Sequence, residues 1–196
     1  ADGFPAEMSA DKKANIVEKI IVRKYTSKTD FTDDEYWIDT EGRLQNCFAA
    51  IGETKYSTLK VAVGEAQDGD VIYVLHNTKV TETIEVSKNI TITNVAGKNV
   101  TITRATTDNM FKVTAGSSLT LGTANSSKKL TIEGDGEVVV GNSLISNAGA
   151  VVTNSNVIIQ NANAGTKNGG VVNNNGTGAS ATFIGSTITG NKASQG

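Results

Sequence analysis

The sequence predicts a mainly-β chain wound as a parallel β-helix, and three observations lead there. From Val71 onward no helical period is found; short strands recur instead, each with two inward apolar residues separated by one outward residue. A longer period lies above this one: Leu130/Ile132 returns as Val157/Ile159 and Leu144/Asn147 as Val171/Asn174, both 27 positions on, and Ile159 returns as Ile188, 29 on. Repeats of this length mark solenoids or propellers, whose units bury their apolar faces only by stacking on one another. Composition agrees: 20 Gly against single Pro, Cys, Trp and His residues excludes collagen, a disulfide scaffold, a zinc finger and a helical bundle. A chain of 196 residues has room for one core with an extension.

In order along the chain, residues 1–51 form the extension and residues 52–196 the β-helix. Residues 1–46 carry ten acidic and seven basic side chains, whereas residues 138–196 carry no acidic residue and only Lys167 and Lys192. Ser9 precedes Ile16, Val17, Ile20 and Ile21, a spacing that suits an amphipathic helix, while Ile20-Ile21-Val22 would serve equally in a strand; the expectation is a helix. The acidic and aromatic stretch Asp30 to Glu41 has no clear period; a turn at Glu41-Gly42 leads to a short apolar strand around Cys47 to Ile51. Leu59, Ala62, Val63 and Ala66 lie one helical turn apart, with Ser57 expected as N-cap. Gly64 inside that helix costs up to about 1 kcal/mol relative to Ala, so the helix relies on docking against something apolar.

The turn Gln67-Asp68-Gly69-Asp70 then opens onto Val71-Ile72-Tyr73-Val74-Leu75, a β-branched run that reads as a buried strand. The inward pairs that follow are Ile84/Val86, Ile90/Ile92, Val100/Ile102, Phe111/Val113, Leu119/Leu121, Leu130/Ile132, Val157/Ile159 and, last, Ile188. Propeller blades need four longer strands each, and the Leu and Asn consensus of leucine-rich repeats is absent. Eleven Asn residues between Asn142 and Asn191 suit turns with left-handed backbone or stacked side-chain ladders.

A net charge of −2 gives no electrostatic reason to approach nucleic acid or an anionic membrane. No stretch reaches the roughly eighteen apolar residues of a membrane span, and Ala1-Asp2-Gly3-Phe4-Pro5 lacks the basic and apolar regions of a secretory signal, although a signal removed earlier is compatible with the sequence. Scarce Cys suits a secreted bacterial protein as well as a cytosolic one. Cys47, with no Cys partner in the chain, reads as a small buried apolar residue.

The run from Tyr56 through Leu75, with Gly69-Asp70-Val71-Ile72-Tyr73-Val74 at its end, followed by Thr83 to Thr93 and Lys98 to Arg104 with their Ile-Thr-Ile and Val-Thr-Ile strands, resembles the opening of right-handed, pectate-lyase-like β-helix domains. It looks most like those in large surface proteins and adhesins of Gram-positive bacteria. The resemblance covers about residues 52–196 and implies a right-handed solenoid whose N-terminal end is plugged by the amphipathic helix. It implies an extracellular or cell-surface location, and it leaves function open, because such domains include lyases, glycosidases, binding modules and passive stalks.

A lyase of that kind would need clustered carboxylates for calcium and an Arg or Lys base; a glycosidase would need opposed carboxylates. The rungs offer Glu85, Asp108, Glu133, Asp135 and Glu137, with Arg104 as their one arginine. Glu133-Gly-Asp-Gly-Glu137 is either a calcium-binding turn, though without EF-hand spacing, or a solvated Gly-rich turn. Asp33-Asp34-Glu35 reads as a solvated run. Tyr36, Trp37 and Phe31 offer either a stacking platform for a sugar or a small core for the N-terminal segment. His76, the sole His, reads as a loop residue. Thr-x-Thr pairs at Thr91/Thr93, Thr101/Thr103 and Thr187/Thr189 resemble ice-binding solenoids, but Thr131 and Ile158 stand where further pairs would be required.

The expectation is therefore a non-enzymatic β-helix module of a secreted or cell-surface bacterial protein, a stalk or an adhesive surface, whose partners are host or cell-wall glycans or surface proteins. The competing expectation is a carbohydrate-active β-helix that binds or cleaves an acidic polysaccharide through Asp108, Glu133, Asp135, Glu137 and Arg104. The chain ends at Gly196 just after a rung strand with no amphipathic segment over it, which predicts a fragment of a longer β-helix. An uncovered last rung predicts end-to-end association or fraying.

Overall fold

The computed structural model describes residues 36–38, 44–124, 126–134 and 141–194. The chain forms two compact units, Ala1–Cys47 and Phe48–Gly196. In the first, β1 (Tyr36–Ile38) pairs antiparallel with β2 (Leu44–Asn46), placing Trp37 opposite Gln45. The helix expected after Ser9, Asp33-Asp34-Glu35 and the turn at Glu41-Gly42 lie outside the described residues.

The second unit opens with the antiparallel pair β3 (Ala49–Ile51) and β4 (Thr54–Tyr56), then α1 (Leu59–Glu65). The strands that follow are β5 (Val71–Val74), β6 (Thr78–Val80), β7 (Ile84–Val86), β8 (Asn89–Asn94), β9 (Val100–Arg104), β10 (Phe111–Val113), β11 (Ser118–Leu121) and β12 (Leu130–Glu133). After them come β13 (Ile145–Asn147), β14 (Ala150–Thr153), β15 (Val157–Gln160), β16 (Val172–Asn174), β17 (Ser180–Phe183) and β18 (Thr187–Thr189). From β5 onward the chain visits three sheets in fixed rotation. The first runs β5-β8-β11-β14-β17, with β3 and β4 added antiparallel beyond β5; the second runs β6-β9-β12-β15-β18; the third runs β7-β10-β13-β16. Each strand from β5 to β15 pairs in parallel with the strand three places later in the chain, which is the wiring of a β-solenoid.

Register explains the repeat in the sequence. Ile102, Ile132 and Ile159 stack in one inward column of the second sheet, Val100, Leu130 and Val157 in another, and Ile84, Phe111 and Ile145 in the third sheet. All of them are buried in one continuous core. Each such side chain contributes about 1.5–3 kcal/mol by leaving water. Ile188 occupies the same column, opposite Ile159, yet it is 45% exposed, since among the described residues no further strand pairs with β18. On the outer side of the second sheet Thr101, Thr131, Ile158 and Thr187 are in register, so the Thr-x-Thr pattern is interrupted on the middle rungs.

Helix α1 touches β5, β6 and β7, the first strand of each of the three sheets, and therefore lies across the end of the shaft. Leu59, Ala62 and Val63 join the core. The N-cap is Thr58 rather than the expected Ser57: its backbone is extended (φ −145, ψ 154) and its Oγ1 accepts the Val61 N–H at 3.1 Å. The helix begins at Leu59, and an N-cap hydroxyl reaches the third helical N–H only from the residue just before it.

The asparagines do more as ladders than as turns. Asn161 (φ 57) is the one non-glycine among the described residues in the left-handed region; glycines hold that geometry elsewhere. The amides instead tie rung to rung: Asn147 Nδ2 donates to Asn174 Oδ1 at 2.7 Å, and the Oδ1 atoms of Asn77 and Asn99 accept the backbone N–H of Thr101 and Lys129, each at 2.8 Å. Buried Asn156 donates to Asn94 Oδ1 at 3.0 Å and accepts the Thr123 N–H at 2.8 Å. Gly122 makes room for this: it has φ +72, and a Cβ there would lie 2.2 Å from Asn156 Oδ1.

Candidate ligand-binding hollow

Alternation along β9 decides the place of Arg104. Val100, Ile102 and Arg104 point inward and Thr101 and Thr103 outward, so the guanidinium lies inside the shaft, 1% exposed. Its Nη1 donates to the carbonyl oxygens of Asn142 (3.0 Å) and Ser143 (3.5 Å), and its Nη2 to that of Gly134 (3.2 Å). Glu133 is opposite Thr103 on the neighbouring strand and points outward, where it accepts from Gln160 Nε2 at 2.7 Å and Asn161 Nδ2 at 3.3 Å. Arg104 and Glu133 thus occupy opposite faces of the second sheet. Asp108 is exposed in the loop between β9 and β10; its Oδ1 accepts the Asn109 N–H at 3.2 Å and Asn142 Nδ2 at 3.4 Å.

Asp135 and Glu137 lie outside the described residues, as do the side chains of Tyr36 and Trp37, whose backbone forms β1. Among the described residues no three His, Cys, Asp or Glu side chains come together as a metal site. His76 meets Phe48 edge to face, ring centroids 6.4 Å apart, at the start of the solenoid unit.

What the structure does bring together is an amide-rich hollow of about 350 Å³ on the outside of the third sheet. The outward row of that sheet runs Glu85, Lys112, Ser146, Asn173. Its first half is ionic, with Lys112 Nζ 3.0 Å from Glu85 in an exposed pair. Its second half, Ser146 and Asn173, forms one wall of the hollow, and Asn109, Asn142 and Ser143 enter from the loops before β10 and β13. The loop between β15 and β16 adds Thr166, Lys167 and Asn168, and Asn175 follows β16.

The wall is built by hydrogen bonds. Asn109 Nδ2 donates to the Ser143 carbonyl (2.8 Å) and to Ser143 Oγ (3.1 Å), Ser143 Oγ donates to the Ile145 carbonyl (3.0 Å), and Asn175 Nδ2 donates to Ser146 Oγ (2.8 Å). Asn142 Nδ2 faces the Thr107 carbonyl at 3.4 Å as well as Asp108. Arg104 supports this wall from behind, since two of the three carbonyls it holds belong to Asn142 and Ser143. Sequence reasoning takes these asparagines as turn and ladder residues; the available signal is the repeat itself, which puts Ser146 and Asn173 at equivalent outward positions of consecutive rungs.

No protein-family model, curated protein or solved structure matches this chain.

Proposed function

We propose that the chain is a non-enzymatic β-helix module of a secreted or cell-surface bacterial protein, in which the shaft is a rigid support that displays a ligand-binding surface. The observation that carries this reading is where the polar side chains go. Arg104, Asn94, Asn147 and Asn156 are buried and bond rung to rung, while the outward residues Ser146 and Asn173 of consecutive rungs, with loop residues around them, line the hollow on the third sheet. A surface defined by strand register holds its groups in place without ordering cost on binding, which favours recognition.

The competing reading, a carbohydrate-active β-helix acting on an acidic polysaccharide, makes Asp108 and Glu133 participants in cleavage. Incubation with pectins and other uronates, followed by reducing ends and by the ultraviolet absorbance of unsaturated products, separates the two. The module reading expects no turnover above a buffer blank. Cleavage that is abolished by Asp108→Asn or Glu133→Gln overturns it.

A further inference from the structure

The polar atoms that face the hollow define what it can hold. The Nδ2 atoms of Asn109 and Asn142 each make two bonds within the protein and that of Asn175 makes one, so all three residues offer their Oδ1 atoms to a ligand and Asn175 one N–H besides. Three acceptors at fixed places ask for a ligand with several donors. Asn173 and Asn168 add amides of both polarities, Ser146 and Thr166 add hydroxyls, and Lys167 supplies a single ammonium. Among the described residues, the carboxylate of Asp108 stands beside the hollow, hydrogen-bonded to Asn142. One cation and one anion of the described residues thus stand at the rim, a balanced pair that does not select a molecule by charge.

We infer that the hollow on the third sheet binds a short neutral saccharide, one or two sugar rings, through the Oδ1 atoms of Asn109, Asn142 and Asn175 and the amide of Asn173. A sugar hydroxyl donates and accepts at once, which matches a wall that mixes amide oxygens, amide nitrogens and hydroxyls at close spacing. The volume lies at the small end of ligand sites, about 300–1,000 Å³. The lining is polar with no aromatic face, so recognition rests on hydrogen bonds and the affinity is weak, in the millimolar range, as suits repeated contacts along a surface rather than a single tight one. This rests on the reading of the shaft as a displaying surface and adds the class of ligand.

The test is nuclear magnetic resonance of the full chain labelled with nitrogen-15, titrated with cellobiose, maltose, lactose and diacetylchitobiose, and separately with digalacturonate. The expected result is amide shift changes with at least one neutral disaccharide, confined to Asn109, Asn142 to Ser146, Thr166 to Asn168 and Asn173 to Asn175. Binding should be insensitive to salt. Asn173→Ala, whose side chain makes no bond that holds the wall, should weaken it about fivefold to tenfold, the loss of one hydrogen bond. Thr120→Ala, on the outside of the first sheet, should leave it unchanged.

No shift changes at the hollow with any neutral disaccharide at tens of millimolar overturns the inference. Tighter binding of digalacturonate there, lost with Lys167→Ala or at high salt, overturns the neutral class while the displaying module stands. Binding of a neutral disaccharide at the hollow accompanied by its hydrolysis upholds the ligand class and overturns the non-enzymatic reading.

Discussion

Asn156 and Asn94, 62 positions apart in sequence, are joined inside the shaft: Nδ2 of Asn156 donates to Oδ1 of Asn94 at 3.0 Å, and both side chains are buried. Asn156 also donates to the Lys128 carbonyl at 3.3 Å and accepts the Thr123 N–H at 2.8 Å. One amide thereby serves the corner between the first and second sheets on successive rungs. Removing it takes the acceptor from the partly buried Thr123 N–H and leaves the buried Asn94 Oδ1 with only the long bond from Thr93 Oγ1 (3.5 Å), each loss a cost of about 1–3 kcal/mol. Asn156→Ala should therefore lower the unfolding free energy by about 2–4 kcal/mol, read from the urea midpoint at constant m-value. A loss below about 0.5 kcal/mol would mean that water substitutes for the amide and that the ladder contributes little.

Arg104 offers a sharper separation between holding the fold and binding a ligand. Its guanidinium reaches three backbone carbonyls, of Asn142, Ser143 and Gly134, from inside the shaft. A lysine ammonium is a point donor and cannot fork to both Nη positions. Arg104→Lys should destabilise the protein by about 2–4 kcal/mol, since one ammonium cannot replace the charged donors to all three carbonyls and the buried Gly134 carbonyl is the one most subject to the desolvation cost. Unfolding curves of Arg104→Lys that superimpose on those of the parent would remove the structural role and return Arg104 to the set of ligand-binding candidates.

The columns of the core were legible in the sequence because two inward residues flanking one outward residue leave a period-two signature in each rung, and Leu130/Ile132 and Val157/Ile159 preserve it with an unchanged interval. Thr78–Val80 was harder: β6 is three residues long, only Val80 is buried, and an alternation needs two inward positions to be seen. Arg104 stood among the candidate binding residues by residue type; the inward parity it shares with Val100 and Ile102 was the signal for its place inside the shaft. Of the hollow, the repeat marks Ser146 and Asn173 as equivalent, but the approach of Asn109, Lys167 and Asn168 was not legible, because they come from loops whose meeting depends on the three-dimensional path of the chain.

The cap across the N-terminal end can be improved by one residue. Gly64 lies on the exposed side of α1, its φ is not positive, and a Cβ there meets nothing within 4 Å. Gly64→Ala removes unfolded-chain entropy without strain and should stabilise by about 0.5–1 kcal/mol. Thr58→Ala should act oppositely, by about 1 kcal/mol, through loss of the bond to the Val61 N–H, with Ser57→Ala close to neutral. Differential scanning calorimetry of the three variants checks the assignment; a larger effect at Ser57 than at Thr58 would refute the cap geometry.

Ile159 and Ile188 share one inward column and differ in what lies above them. Ile159 is fully buried between Ile132 and Ile188, whereas Ile188 is 45% exposed, alongside Phe183 at 41% and Ile184 at 52% on the same rung. A large-to-small change in a closed column loses transfer energy and leaves a cavity; at an open rung water fills the space. Ile159→Ala should thus cost about 3–4 kcal/mol and Ile188→Ala less than about 1 kcal/mol. The same asymmetry predicts that hydrogen exchange in β17 and β18 is faster than in β9 and β12, because opening the outer rung breaks contacts on one side only. Equal protection of these strands in a strictly monomeric sample, or equal costs for the two alanine variants, would show that the last rung is covered in solution.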